Sequence, residues 1–409
     1  MRFATTLLSL AALVGLPLAL AGAPIKNANV KSSLVVPNSY IVTYKKNADP
    51  VKRKKHEAEV NKQAKKCNKA GIVRTICING GLEAYVVEIS PSEIGIVTKS
   101  DLVDYVEKDT YIKTSAVAAP LEKRAFTTQK KAPWGLGRIS HKALGSADYY
   151  YDQTAGSKVR VYVVDSGILL SHEEFEGRAV WGANFVSGTK NADEFGHGTH
   201  VAGIIGGKTY GVAKKATLVA VKVADKNGAG TMSTLLAGIN WVVADAKAKG
   251  VAKKAVVNMS VGGGYTASIN AAVLAATNAG LTVVVAAGND NGKASGYSPA
   301  SAPSAITVGA IDGLDYRAGV SNYGSLVDIF APGVSVLSSY IGTNSAVTYL
   351  SGTSMACPHV AGLAAYFIAK EGLSGSTAVT KRILGASITG IVNDAMGSPS
   401  RVAYNAGGL

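Results

Sequence analysis

The chain has 409 residues, 47% of them apolar, with 46 glycines and a formal net charge of +15; this excludes a disordered or collagen-like polymer and allows more than one core. The excess charge divides into +8 over residues 1–124 and +7 over residues 125–409, with much of it in one short run, Lys52 to Lys69, which can mark a nucleic-acid-binding patch or the solvated face of a helix. Cys67 and Cys77 lie early and Cys357 stands alone later, which excludes a disulfide framework for the larger C-terminal part.

In chain order, Arg2 precedes an apolar run from Leu7 to Leu20 that ends in the small-x-small pattern Ala19-Leu20-Ala21. Residues 1–21 therefore read as a secretory signal, and the mature protein is expected outside the cell. No later run reaches the roughly 18 apolar residues of a spanning helix, so no membrane association is expected. Ser39–Tyr44 and Glu83–Ile89 are strand-like, and Val103–Asp109 is extended. The basic stretch from Lys52 to Lys69 lies between the first two and reads as the solvated face of a helix. Residues 22–124 thus form a small α+β unit with a linker, Ala116 to Ala132, that carries Lys123-Arg124. A dibasic pair in an exposed linker is a processing site by default. Cutting there starts the mature chain at Ala125, either by a kexin-type protease, the favoured reading, or by self-cleavage, which would require the chain to accept a basic residue before the cut.

Beyond residue 159 the runs Val159–Val164, Thr217–Val223, Ala255–Met259 and Leu281–Val285 are short, β-branched and nearly continuous. Strands buried on both faces of a parallel sheet look like this. Helical stretches at Thr231–Lys249 and Ala267–Ala279 separate some of them, so residues 125–409 are predicted to form a doubly wound α/β domain. Sites in such folds lie beyond the carboxyl ends of the strands. The first of these strands runs into Asp165-Ser166-Gly167. Gly196-His197-Gly198-Thr199-His200 then offers two candidate bases, and the residues alone do not choose between His197 and His200. No glutamate follows His197 as the H-E-x-x-H zinc pattern requires. Asn289 follows the strand ending near Ala286-Ala287-Gly288. Ser354, in Gly352-Thr353-Ser354-Met355-Ala356, begins an apolar helical run, where the helix terminus favours developing negative charge. A serine there needs a base and an orienting acid to become a nucleophile.

Together, Val163-Val164-Asp165-Ser166-Gly167-Ile168, His197-Gly198-Thr199-His200-Val201-Ala202-Gly203 and Gly352-Thr353-Ser354-Met355-Ala356 resemble the subtilisin family of serine proteases, and residues 125–409 resemble its fungal secreted proteinase K type. The resemblance implies a secreted zymogen that cleaves protein and peptide substrates, with residues 22–124 as its chaperone and intramolecular inhibitor. It selects His197 as base, with Asp165 and Ser354 completing the triad, leaves His200 structural and makes Asn289 an oxyanion donor. Gly228, Ala229 and Gly230 become one edge of the substrate cleft. Ser260, Val261 and Gly262 become the other edge and, with Ala286, Ala287 and Gly288, line an S1 pocket for apolar or aromatic side chains. Met232, where relatives carry an aromatic, implies an adaptable S4 site. One structural Ca2+ site is implied at Pro303, Ala305 and Asp312, with no catalytic cofactor, no nucleic-acid partner and a monomeric state. Val201 departs from the cysteine common in this subgroup. The sequon at Asn258 lies on a predicted buried strand, so its glycosylation is not expected.

Overall fold

The computed structural model describes residues 22–78, 81–114, 117–118, 132–146 and 148–407; the signal-like segment and Lys123-Arg124 lie outside them. The N-terminal unit contains β1 (Val35–Tyr44), α1 (Pro50–Lys66), β2 (Gly71–Ile78), β3 (Leu82–Glu88) and β4 (Val103–Thr114), with the strands antiparallel in the order β4-β1-β3-β2. Helix α1 begins at Asp49, whose carboxylate accepts the backbone N–H groups of Val51 and Lys52 at 2.8 and 2.9 Å. Pro50 follows in the first turn, where its missing N–H leaves no bond unmade. Val60 and Ala64 are the buried residues of this helix, which leaves most of the basic run in water as expected.

Alternation along the strands gives this small sheet two buried faces. Tyr40, Val42 and Tyr44 pack with Tyr85, Val87 and the two buried residues of α1. Ile41, Ala84 and Val86 point the other way, into a cluster with residues of the C-terminal unit such as Leu235, Leu236 and Ala272. The second unit therefore supplies the other half of the first unit's core.

The C-terminal unit contains β5 (Arg160–Asp165), β6 (Ala179–Asn184), α2 (His197–Gly206), β7 (Thr217–Lys222), β8 (Ala229–Thr231), α3 (Met232–Ala248), β9 (Ala255–Met259), β10 (Val261–Gly264), α4 (Ala267–Asn278), β11 (Thr282–Ala286), β12 (Ile306–Ile311), β13 (Ile329–Pro332), β14 (Val336–Ser339), β15 (Val347–Ser351) and α5 (Thr353–Glu371). Strands β13-β12-β11-β9-β5-β7-β6 lie side by side in parallel. The chain builds outward from β5 to β6 and β7, then crosses to the other side for β9. The predicted doubly wound sheet is present, with its switch point at β5. The strands and helices named from the sequence in this unit agree to within a residue or two, whereas β1 begins four residues earlier and β4 runs five residues further than the sequence suggested; β6, β12 and β13 extend the parallel sheet beyond the strands named. One layer of core holds Val161, Val163 and the helices α2 and α5, and the other holds Tyr162, Val164, α3 and α4.

Candidate active site

Two chain reversals bring the acid and the base together. Asp165 is the last residue of β5 and His197 the first of α2. Asp165 Oδ1 lies 2.7 Å from His197 Nδ1 and also accepts the Ser166 backbone N–H at 2.7 Å. Both side chains are buried. A carboxylate can only accept here, so Nδ1 carries the imidazole proton and Nε2 the lone pair. His197 Nε2 is buried and has no hydrogen-bond partner among the described residues. His200 differs: its Nε2 faces the carbonyls of Val336 and Thr348, each at 3.1 Å. That ring fastens α2 to β14 and β15.

Ser354 is the second residue of α5, entered through Gly352 at φ +142°, a conformation suited to glycine. Its hydroxyl donates to the Ser260 carbonyl at 3.1 Å, so the Ser354–His197 bond is not formed in this conformation. Ser260 answers with its own hydroxyl, which donates to the Ser354 carbonyl at 3.1 Å. The need for that second bond is written in the sequence. Pro358 lies inside α5 and has no N–H to give the carbonyl four residues earlier, which is that of Ser354. Ser260 thus satisfies a helix carbonyl that Pro358 leaves open. Cys357 donates to Asn258 Oδ1 at 3.2 Å, and burial pushes its thiol far above the ordinary value. It is a core residue and not a second nucleophile. Asn258 is itself fully buried, consistent with an unmodified sequon.

Asn289 follows β11 and faces the start of α5. Its side-chain oxygen accepts both the backbone N–H and the hydroxyl of Thr353, each at 2.9 Å. The oxygen end is therefore committed, and the amide's orientation is fixed with the nitrogen as its donor end.

The two edges expected from the sequence to flank substrate lie on either side of one strand, β4. Residues Tyr111, Ile112 and Lys113 of β4 pair antiparallel with Thr231, Gly230 and Ala229 on one side. Lys113 and Thr114 pair with Gly262 and Val261 on the other. The Thr114 N–H reaches the Gly228 carbonyl at 3.0 Å. A Cβ on Gly228 would lie 2.4 Å from Thr114 Oγ1 and 2.7 Å from the Phe195 ring, so only glycine admits this approach. Beside the strand opens a cavity of about 410 Å³ walled by Ser260, Val261, Gly262, Ala286, Ala287 and Gly288, the pocket residues named from the sequence, together with Asn289. Asp290 and Tyr297, which the sequence reading had not placed there, share the wall. Burial, and secondarily Asp290, pushes the Tyr297 hydroxyl up.

Residues 156–397 match the profile of the Subtilase family, and residues 39–115 match that of the peptidase inhibitor I9 family. This chain belongs to the subtilase family. It is 48% identical to Subtilisin-like protease 2 of Pseudogymnoascus destructans over the whole length of both chains. It is 45% identical to Alkaline protease 1 of Aspergillus clavatus, with 98% of each chain covered. Among solved structures it resembles a cold adapted subtilisin-like serine proteinase, with TM-score 0.64 and 39% identity over 67% of this chain and 98% of that one. The chain is thus a subtilisin-like serine endopeptidase of the type found in fungi, preceded by an inhibitor domain. In this structure strand β4 of the inhibitor domain lies between β8 and β10 of the subtilase domain and pairs with both. Among the described residues, no helix is long and apolar enough to cross a membrane.

The subtilase site has supports that no sequence motif announced. Asp193 Oδ1 accepts the Ser166 hydroxyl at 2.8 Å and the backbone N–H groups of Phe195 and Gly196 at 3.1 and 2.8 Å. Its Oδ2 accepts the N–H and hydroxyl of Thr199 at 2.9 and 2.6 Å. One carboxylate thus caps the His197 helix and ties it to the loop after Asp165. Lys222, fully buried at the end of β7, donates to the carbonyls of Ser166 and Ala192 at 2.8 and 3.1 Å, clamping the same two loops. The signal available in the sequence was an acidic residue just before a helix start.

The three residues named for calcium do not meet. Ala305 precedes β12 and Asp312 follows it; seven residues at roughly 3.3 Å each put them about 23 Å apart, whereas calcium–oxygen bonds are about 2.3–2.6 Å. Asp312 instead closes a turn, accepting the N–H groups of Leu314 and Tyr316 at 2.9 and 3.0 Å. The carboxylate at the Ala305 end of the strand is Asp328, which accepts the Thr307 N–H at 2.8 Å. The set Pro303, Ala305 and Asp312 therefore does not fit one cation.

Burial lowers His200 to about 3 and His359 to about 4. Both are neutral in the folded domain at pH 5, whereas in the unfolded chain they titrate near 6.5. Below about pH 6.5 the unfolded state binds more protons, so stability falls with pH until the folded values are reached. Each histidine contributes about 1 kcal/mol per pH unit in that window. Urea unfolding of the Ser354→Ala chain, which avoids self-digestion, is expected to show a loss on the order of 5 kcal/mol from these two groups between pH 6.5 and 4. His359→Gln should flatten part of this slope, and an unchanged slope would exclude His359 as a source.

Proposed function

We infer that Asp165, His197 and Ser354 form the catalytic triad, that Asn289 and the Ser354 backbone N–H form the oxyanion site, and that the protein is secreted as a zymogen. The observation that carries this reading is the buried Asp165–His197 pair, 2.7 Å apart, in one domain with a serine at the start of α5 whose hydroxyl donates to the carbonyl of Ser260, the residue just before the strand that pairs with β4. Rotation of the Ser354 side chain away from the Ser260 carbonyl brings its hydroxyl toward His197 Nε2. His197 then takes the proton as Oγ attacks a peptide carbonyl and returns it to the leaving amine, while Asp165 stabilises the imidazolium. Peptide substrates add as a strand between β8 and β10 in place of β4. The small residues of the S1 cavity suit an apolar or aromatic P1 side chain, and the protein works as a monomer on protein and peptide substrates.

A fluorophosphonate reagent is expected to label the mature protein once per molecule, on Ser354, and to abolish its hydrolysis of a peptide anilide with Phe at P1. Hydrolysis that survives stoichiometric labelling of Ser354 would refute the assignment. A folded, mature protein that neither labels nor cleaves would be a binding module on a subtilase scaffold.

A further inference from the structure

Helix α5 carries Ser354 in its first turn and a proline four residues later. Pro358 has no N–H, so the Ser354 carbonyl lacks its partner in the helix ladder. The sheet fills that gap through a relay of side chains. The Cys357 thiol donates to Asn258 Oδ1 at 3.2 Å, and Asn258 Nδ2 donates to the Ser260 hydroxyl at 3.0 Å. That hydroxyl then donates to the Ser354 carbonyl at 3.1 Å. The relay leaves α5 one residue before the proline and returns at the carbonyl the proline leaves open. All four residues are fully buried, where such bonds are stronger than in water.

Its direction is fixed at each step. The thiol donates to the amide oxygen, so the Asn258 amide turns its NH2 toward Ser260. The Ser260 hydroxyl accepts there and spends its single proton on Ser354. The neighbouring groups of the turn are held by other means. Asn289 holds the Thr353 N–H and hydroxyl, and the His359 ring donates from Nδ1 to the Met355 carbonyl at 2.8 Å. Ser260 supplies the one bond that Pro358 cannot.

We propose that the Ser260 side chain is a positioning residue for catalysis, made necessary by Pro358 and aimed by Asn258 and Cys357, with Ser354 the nucleophile of the triad inferred above. The Oγ, the N–H and the carbonyl of Ser354 all depend on one Cα. A shift of the carbonyl therefore moves Oγ relative to His197 Nε2 and the N–H relative to Asn289. A misplacement of about 1 Å in such a constellation costs roughly 10² in rate. The backbone of β10, which pairs with an extended chain, keeps its own groups when the Ser260 hydroxyl is removed. The loss therefore falls on kcat and not on KM. A bond that served the fold alone would lower stability and leave the turnover of each folded molecule unchanged.

The test is a double-substitution cycle in the mature enzyme: Ser260→Ala, Pro358→Ala and the two together. Turnover of the Phe anilide is expressed per site labelled by the fluorophosphonate, and thermal unfolding is followed in parallel. Ser260→Ala should lower kcat by roughly 10–100-fold with KM within about twofold. Pro358→Ala restores an N–H for the Ser354 carbonyl. In that background the same change should cost less than about threefold, because the two substitutions act on one bond. Cys357→Val removes the first donor of the relay and should lower kcat in the same direction, whereas Cys357→Ser keeps a donor and should restore it. If Ser260→Ala fails to fold, this second pair, with and without Pro358→Ala, reads the same relay from its other end.

Three results would overturn the proposal. An equal loss of kcat in both backgrounds would separate Ser260 from Pro358. A lowered melting temperature with unchanged kcat would leave the relay to the fold alone. A folded wild type that neither labels nor cleaves would remove the triad as well, and the first two results would leave it standing.

Discussion

Asp165→Asn is expected to lower kcat by roughly 10³–10⁴ while leaving KM nearly unchanged. The substitution keeps the volume of a fully buried side chain, so the loss reports charge and not packing. Two arrangements are open to the amide. With its oxygen facing His197 Nδ1 and the Ser166 N–H, it preserves the tautomer but carries no charge to stabilise the imidazolium. With its nitrogen there, it faces two donors and forces the ring proton onto Nε2, where His197 can no longer accept from Ser354. Because Asp165 Oδ1 holds the Ser166 N–H at 2.7 Å as well as His197, the first arrangement is favoured. The loss should then fall toward the lower end of the range and ease little at high pH. Steady-state kinetics on the Phe anilide, with near-ultraviolet circular dichroism to confirm the fold, measure this. A loss below tenfold would mean that Asp165 contributes orientation alone.

Much of the subtilase domain was legible because strands buried on both faces leave no polar alternation to confuse. Val161–Val164 and Val256–Met259 announced themselves as apolar runs between helices, and Asp165 stood at the end the fold rule singles out. Strand β6 was less legible because it is an edge, with most of its residues half-buried, and its mixed composition reads as a loop. The Ser354 carbonyl and Ser260 hydroxyl are 94 residues apart, and nothing local to either forecasts that they satisfy each other, although Pro358 forecasts that some donor must. Asp193 and Lys222 escaped for the same reason: each acts by joining two loops that only the folded sheet brings together. Calcium shows the opposite error. Asp312 is nearer Ala305 in sequence than Asp328 is, yet an extended strand carries it away while pairing of β12 with β13 brings Asp328 back to Thr307. The occupied cleft was foreseen as inhibition by an N-terminal domain; the register of that strand was not.

The inhibitor domain's grip on the subtilase domain is expected to weaken by about three orders of magnitude when Glu107 and Asp109 both become amides. These two residues of β4 are buried against the peptidase and reach the N-termini of different helices. Glu107 accepts the backbone N–H groups of Ala267 and Ser268 at 2.8 and 3.0 Å, along with the Ser268 hydroxyl, at the start of α4. The residue before that helix, Thr266, makes no side-chain cap of its own, so the inhibitor supplies the cap. Asp109 accepts the N–H and hydroxyl of Ser233 at 3.1 and 2.7 Å, in the first turn of α3, and the Ser39 hydroxyl at 3.1 Å. A carboxylate at a helix N-terminus gains from both the unpaired N–H groups and the helix dipole. An amide has one acceptor oxygen and turns an N–H toward donors. Hydrogen bonds to a charged partner are worth about 1.5–3 kcal/mol. Burial pushes the Asp109 carboxyl above its ordinary value despite its hydrogen bonds, so desolvation offsets part of its share. Taking about 2 kcal/mol for each, and near-additivity because the helices differ, gives about 4 kcal/mol, or roughly 10³ in the inhibition constant. The measurement is inhibition of mature enzyme by residues 22–115 added in trans, wild type against Glu107→Gln/Asp109→Asn. A change under tenfold would place the affinity in the pairing of β4 with β8 and β10, and leave the two carboxylates to guide folding.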